Sequence, residues 1–214
     1  MECCPCEGLE SQFGPKLAER ELRRFRRRGP NRSTQLLINS LRTAGIEGVS
    51  LLDIGGGVGA IHHTLLDAGA TTAFHVDVSG DYIKAAREEA IARGHTNRVL
   101  FLHGDFVERA SGIPAADVVT LDRVICCYPD MKALVGHAAD KARRLFGAVY
   151  PPDAWWMRLS VRAINGLMRL RRSSFRAYAH SPAAIEAVLQ HHGFERIERK
   201  RTLAWEIVIF ARRT

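Results

Sequence analysis

No apolar run in the 214-residue sequence reaches the roughly 18 residues that a membrane-spanning helix needs. The first ten residues, MECCPCEGLE, lack the basic and apolar zones of a secretory signal. Internal repeats and low-complexity linkers are missing too, which gives no support to a solenoid or a tethered array. Cysteine is scarce and odd in number: five residues in two clusters, Cys3, Cys4, Cys6 and Cys126, Cys127. That usage does not fit a secreted disulfide framework and suits a reducing, cytoplasmic compartment. Cys3 and Cys6 form one Cys-x-x-Cys, half of a zinc or metalloid site without a second half at standard spacing, so no metal is assigned.

What is present suffices for one globular domain, with 46% hydrophobic and 25% charged residues. The net charge of +8 is uneven. Residues 141–201 hold 13 Lys or Arg against 4 Asp or Glu, whereas residues 34–140 hold 8 against 13. A basic surplus of this kind attracts acidic substrates, nucleic acid or a lipid surface without choosing among them.

Two helices are expected first, KLAERELRRFRRR (16–28) stopping at Gly29-Pro30, and NRSTQLLINSLRTAG (31–45) capped at Ser33 or Thr34. Alternation follows. VSLLDI, TAFHVDV, RVLFLHGD and ADVVTLD read as strands, separated by AIHHTLLDAG and DYIKAAREEAIARG as helices that end at Gly69 and Gly94. MKALVGHAADKARRLF (131–146) reads as a helix before a strand around GAVYPP, and SPAAIEAVLQHHG as another before two closing strands. Between them DAWWMRLSVRAINGLMRLRRSS places Trp155, Leu159, Ile164, Leu167 and Met168 near helical spacing, with Arg158, Arg162, Arg169 and Arg171 among them. This stretch reads as a lid, as a core-facing helix or as a peripheral membrane contact. The repeated alternation implies a mostly parallel sheet covered on both faces.

The loop Gly55-Gly56-Gly57-Val58-Gly59-Ala60 satisfies the dinucleotide fingerprint, and Asp77 ends the second strand. However, Asp53, just before the loop, would place a negative charge beside a pyrophosphate held at a helix N-terminus. The same carboxylate suits an ammonium group. Tyr128 and Lys132 have the Tyr-x-x-x-Lys spacing of some dehydrogenases, but Pro129 keeps Tyr128 off the helix that Lys132 begins.

Asp53 to Gly59, Asp77, Gly104-Asp105 and Asp122 occur in the order of the four motifs of class I S-adenosylmethionine-dependent methyltransferases, which the chain resembles over about 50–130. The resemblance implies a Rossmann-like α/β sheet of seven strands in the order 3-2-1-4-5-7-6, strand 7 antiparallel. It also implies S-adenosylmethionine as cofactor, bound by Asp53, Gly55, Gly57, Gly59, Asp77, Val78, Asp105, Phe106 and Asp122. In this reading Asp77 takes the ribose hydroxyls, Asp105 the adenine amino group and Phe106 the ring face. Residues 1–48 form a tail and helices covering the active site, and residues 49–214 the methyltransferase domain with a helical insertion at about 152–175.

The strand-four loop DRVICCYPD lacks the Asn/Asp-Pro-Pro-aromatic signature of amino methylation on bases or glutamine, which disfavours a nucleic-acid substrate. With FRAYAH and PPDAWW, its YPD is similar to the magnesium-protoporphyrin O-methyltransferase branch, which esterifies a propionate; Cys127 stands where that branch has histidine. The expected reaction is O-methylation of a small or medium acidic molecule. A carboxylate is already ionised near pH 7 and needs orientation, for which Arg123 and Tyr128 are the candidates, with Cys127 beside them. Cys126 and Cys127 also admit a thiol or a metalloid such as arsenite as acceptor. A basic nucleic-acid-binding module is the third reading, although the arginine run 23–28 has only Phe25 interleaved.

Overall fold

The computed structural model describes Gly8 and residues 12–213. Cys3, Cys4 and Cys6, and with them the Cys-x-x-Cys, lie outside the described residues. Helices α1 (Pro15–Arg28) and α2 (Arg32–Thr43) precede β1 (Ser50–Ile54), α3 (Ala60–Asp67), β2 (Thr72–Asp77), α4 (Gly80–Ala92) and β3 (Val99–His103). After the single turn α5 (Phe106–Arg109) come β4 (Ala116–Asp122), α6 (Met131–Lys141), β5 (Ala142–Tyr150) and α7 (Trp155–Leu170). The chain closes with α8 (Pro182–His191), β6 (Phe194–Arg201) and β7 (Glu206–Arg212). The sheet has seven strands in the order β3-β2-β1-β4-β5-β7-β6, and β7 runs antiparallel to both of its neighbours, as the resemblance implies. Strand order reverses between β1 and β4, which opens a crevice at the carboxyl ends of the strands. Among the described residues, no helix is long and apolar enough to cross a membrane.

Side-chain alternation on β1 builds two cores. Leu52 and Ile54 pack with Leu134 and Val135 of α6 and Ile185 and Leu189 of α8, whereas Leu51 packs with Leu37 and Leu41 of α2 and Ile61 and Leu65 of α3. Asp53 shares the face of Leu51 and therefore points toward α3. A third, smaller cluster seats α1 on α4 through Ala18, Leu22, Phe25, Tyr82 and Ala85. Beside it the buried Glu89 accepts from Arg26 Nε at 2.7 Å and Arg93 Nε at 2.5 Å. Burial pushes the Glu89 carboxyl up, but the two arginines outweigh it and hold the group below the usual carboxylate range.

Three details differ from the sequence reading. Helix α2 is capped by Asn31, whose Oδ1 accepts from Thr34 N at 3.1 Å; Ser33 and Thr34 lie inside the first turn, where their own N–H groups need that partner. Helix α6 ends at Lys141 instead of continuing to Phe146, because residues 142–146 pair with β4, Val118 opposite Leu145 and Val119 opposite Phe146. Pairing at the sheet centre overrides the helical propensity of Arg143 and Arg144. Helix α7 is not a core-facing helix: none of its residues is buried, and Trp155 (77%), Leu159, Ile164, Leu167 and Leu170 are exposed.

Candidate active site

The glycine loop leaves β1 through Gly55 (φ 62) and Gly57 (φ 56), left-handed conformations that a side chain would strain. This path turns the Gly57 N–H toward β2, where it donates to Asp77 Oδ2 at 2.9 Å while Ser79 N donates to Oδ1 at 2.9 Å. Asp77 thus braces two loops at once. Desolvation of this buried carboxyl pushes its pKa up to about 6, against the pull of the two N–H donors. Val78 follows on the cavity wall, its carbonyl accepting from His103 Nε2 at 2.9 Å.

Asp53 is buried between its partners in the parallel register, His75 on β2 and Thr120 on β4. Thr120 Oγ1 donates to Oδ1 at 2.8 Å, and His62 Nδ1 lies 2.9 Å from Oδ2. Burial pushes this carboxyl up as well, countered by His75, Thr120 and His62. Sequence reasoning leaves Asp53 open for a ligand ammonium, whereas the fold already gives each oxygen a partner.

At the end of β3 Asp105 is buried and caps α5 through Oδ1, which accepts from Val107 N at 2.7 Å. Its Oδ2 accepts from the Tyr128 hydroxyl at 3.0 Å. The hydroxyl expected to serve an acceptor is therefore engaged with Asp105, because the 3-10 turn Ile125–Cys127 folds the strand-four loop back toward β3. Phe106 is buried beside it on the cavity wall.

Asp122 ends β4 and accepts from Thr34 Oγ1 of α2 and, at 3.2 Å, from Arg123 Nε. Arg123 has a positive φ of 62 although it is not glycine, and its N–H is fixed to Val149 O at 2.9 Å. Backbone in this sparsely populated region is enriched at functional sites, although Arg172, away from the cavity, shares it with φ 54. Burial pulls the guanidinium down, but Asp122 and Glu21 restore and raise it, so it stays charged. Cys126 and Cys127 are free thiols with sulfurs 3.9 Å apart. The Cys126 S–H and the Arg123 charge lower the Cys127 thiol, and the same pairing raises Cys126.

These groups surround one cavity of about 340 Å³, within the range of small-molecule sites. Each of the cofactor and acceptor residues expected above lines it except Gly59, which starts α3 beside it with φ 81. Phe13, Glu21, Arg24 and Phe25 of the α1 region and Asn31 and Thr34 at the head of α2 also line it. Tyr82, in contact range of Gly57 and edge-on to Phe13 with ring centroids 5.9 Å apart, is a cavity residue that sequence reasoning missed. Its signal was available in the place of Tyr82 three residues after the Ser79 cap, on the turn that follows Asp77. His62 and His75 were missed too, and no sequence spacing joins them to Asp53.

The O-methyltransferase domain family matches residues 11–148 of the chain. A search of curated proteins finds no match. Among solved structures, the magnesium protoporphyrin IX methyltransferase of Synechocystis with bound S-adenosylmethionine is similar with a TM-score of 0.73 and 20% identity, over 99% of this chain and 98% of that one. An O-methyltransferase family protein of Burkholderia thailandensis has a TM-score of 0.71 and 18% identity, over 96% of this chain and 63% of that one. An O-methyltransferase family 2 protein of Planctomyces limnophilus in complex with apigenin has a TM-score of 0.63 and 16% identity, over 87% and 63%. Likeness at these identities establishes a shared fold. With the family match over well over half of its length, the chain belongs to the O-methyltransferase domain family and is a class I S-adenosylmethionine-dependent methyltransferase.

Proposed function

We propose that the chain methylates an oxygen of a small or medium acidic molecule, one bearing a carboxylate. The observation that carries this reading is the charged, half-buried Arg123 lining the same cavity as the buried acids of β1 to β3. The acids serve the cofactor and the arginine an anion.

Three carboxyls at successive strand ends, above a loop without side chains, fit a cofactor with an ammonium, a ribose diol and an adenine. In the proposed assignment Asp77 holds the diol, Asp105 the adenine amino group with Phe106 against the ring, and Asp53 the ammonium. S-adenosylmethionine supplies an electrophilic methyl whose carbon–sulfur bond breaks as the acceptor oxygen bonds to carbon, leaving an ester and S-adenosylhomocysteine. No group of the chain has to remove a proton from a carboxylate, so its work is alignment and exclusion of water. Arg123 orients the anion, and Phe13, Phe25 and Thr34 line the same cavity. Tyr128 positions Asp105 and through it the adenine side. A porphyrin propionate belongs to this acceptor class, and the similar Synechocystis structure is named as a magnesium protoporphyrin IX methyltransferase.

The thiol pair favours a second reading, transfer to a thiol or a trivalent metalloid such as arsenite, since both sulfurs line the cavity. A panel of porphyrin propionates, fatty and aromatic acids, thiols and arsenite, scored by formation of S-adenosylhomocysteine, separates the two. Turnover with carboxylates that survives Cys126→Ser and Cys127→Ser supports the first reading. Turnover confined to thiols or arsenite, and lost in those variants while the cofactor still binds, overturns it.

A further inference from the structure

Asp53, His62 and His75 come from β1, α3 and β2, and the fold gathers them under the glycine loop. Parallel pairing sets Asp53 opposite His75, and the first turn of α3 brings His62 to both. His62 Nδ1 lies 2.9 Å from Asp53 Oδ2, His75 Nδ1 lies 3.5 Å from His62 Nδ1, and one donor atom from each residue falls within 4.8 Å of the others. Ligands about 2.0–2.1 Å from a tetrahedral divalent ion stand about 3.4 Å from one another, so the two imidazole nitrogens already have ligand spacing, and the 2.9 Å between His62 Nδ1 and Asp53 Oδ2 has to widen by about 0.5 Å to admit an ion.

Two further observations separate this cluster from an ordinary hydrogen-bonded core. First, its polar groups do not satisfy one another. His62 Nε2 and His75 Nε2 are buried and lack a hydrogen-bond partner among the described residues. The three inward-facing atoms hold a single proton between them, the His62 Nδ1–H that Asp53 Oδ2 accepts at 2.9 Å and that the His75 Nδ1 lone pair faces at 3.5 Å; a cation bound by Oδ2 and both Nδ1 lone pairs takes the place of that proton. Second, the backbone passes close above. A Cβ on Gly56 would stand 2.6 Å from His75 Nδ1 and 2.8 Å from Asp53 Oδ2, so the loop can cross these donors only as glycine. Neighbouring His63 has its nitrogens committed elsewhere, Nε2 to Ala86 O and Nδ1 to His95, both at 3.1 Å. Desolvation keeps His62 and His75 neutral, the form that binds metals.

We propose that Asp53, His62 and His75 form a site for a divalent transition-metal ion of the zinc class, seated beneath the cofactor loop. Two imidazoles and one carboxylate suit zinc or cobalt and leave one further coordination position. Because Asp53 also lines the cofactor cavity, the ion opposes a cofactor ammonium; this coupling rests on the cofactor assignment above, whereas the site does not.

The test titrates Co²⁺ and Zn²⁺ into the full chain carrying Cys3→Ser, Cys4→Ser and Cys6→Ser, after treatment with a chelator. One equivalent of Co²⁺ is expected to give the visible ligand-field bands of a low-symmetry nitrogen and oxygen site. His62→Gln and His75→Gln are expected to weaken uptake by at least about tenfold. A zinc-dependent rise in Tm of the chain with both histidines intact tests the site without those variants, should either fail to fold. Failure of both the bands and the rise in Tm overturns the site, and so does a sulfur-to-cobalt charge-transfer band, which would put the ion on Cys126 and Cys127. Zinc that binds without weakening S-adenosylhomocysteine overturns the antagonism alone.

Discussion

The carboxyl ends of β1 to β3 and the segment from Trp155 to His180 are built in opposite ways. At the strand ends Asp53, Asp77 and Asp105 are buried, and each carboxyl has both oxygens bonded. In the other segment α7 buries nothing. It is tied to the following stretch by Asn165, whose side chain bonds Ala177 N and O at 2.8 Å each. Tyr178 N and His180 Nε2 then fasten that stretch to the carbonyls of Cys126 and Tyr128, both at 2.8 Å. The first region has its carboxyl oxygens fixed on the cavity wall; the second has few buried contacts and contributes no residue to that wall.

The strongest way to break this contrast is Asp77→Ala. It removes two charge-assisted bonds to the loops, each worth about 1.5–3 kcal/mol, and is expected to weaken S-adenosylhomocysteine by about 100-fold or more in calorimetry. A loss of twofold or less would show that the strand ends are not preorganised around Asp77.

Acid sharpens the contrast through stability. His62, His63 and His75 are held neutral by burial, each with a pKa lowered to about 3 from 6.5. A depressed pKa means that their contribution is complete above 6.5 and drains away as pH falls from there toward 3, by about 1 kcal/mol per histidine and pH unit. Asp77 has the opposite sign: with its pKa raised to about 6, its contribution is complete below 3.8 and is lost as pH rises through 6. The histidines outnumber it, so urea midpoints are expected to fall from pH 7 to pH 5, and a His62→Gln, His75→Gln chain to show a shallower fall.

A smaller effect concerns binding. The Asp77 carboxylate accepts ribose hydroxyls better than its acid form, so cofactor affinity should rise about tenfold between pH 5 and 7, with a midpoint near 6. A flat profile in calorimetry would remove Asp77 from the ribose. The smallest effect is expected in the second region: Asn165→Ala should change cofactor affinity less than about twofold while speeding proteolytic cleavage near Ala177.

Much of the cofactor side is legible in the sequence because its signals are local. A glycine loop directly after an apolar strand, and acids where the next strands stop, need only the strand periods to be placed, and Asp53, Asp77 and Asp105 fall where those periods put them. The occupancy of those acids is not legible. Thr120 and His75 reach Asp53 only through the register of β4 and β2, and no local pattern states which residues stand opposite across a parallel sheet. Lys141 followed at once by strand is another such case, since only pairing with β4 ends the helix there. For α7 the spacing of Trp155, Leu159 and Leu167 predicts one apolar face correctly, but periodicity says nothing about whether another element covers that face.

The identity of the ligand at the strand ends is tested most directly by calorimetric titration of the full chain with S-adenosylhomocysteine and, separately, with NADH. We expect saturable one-to-one binding of S-adenosylhomocysteine, abolished or severely weakened in Asp77→Ala when titrated well below that variant's own Tm, and no saturable binding of NADH. Saturable NADH with no heat from S-adenosylhomocysteine or S-adenosylmethionine would contradict it.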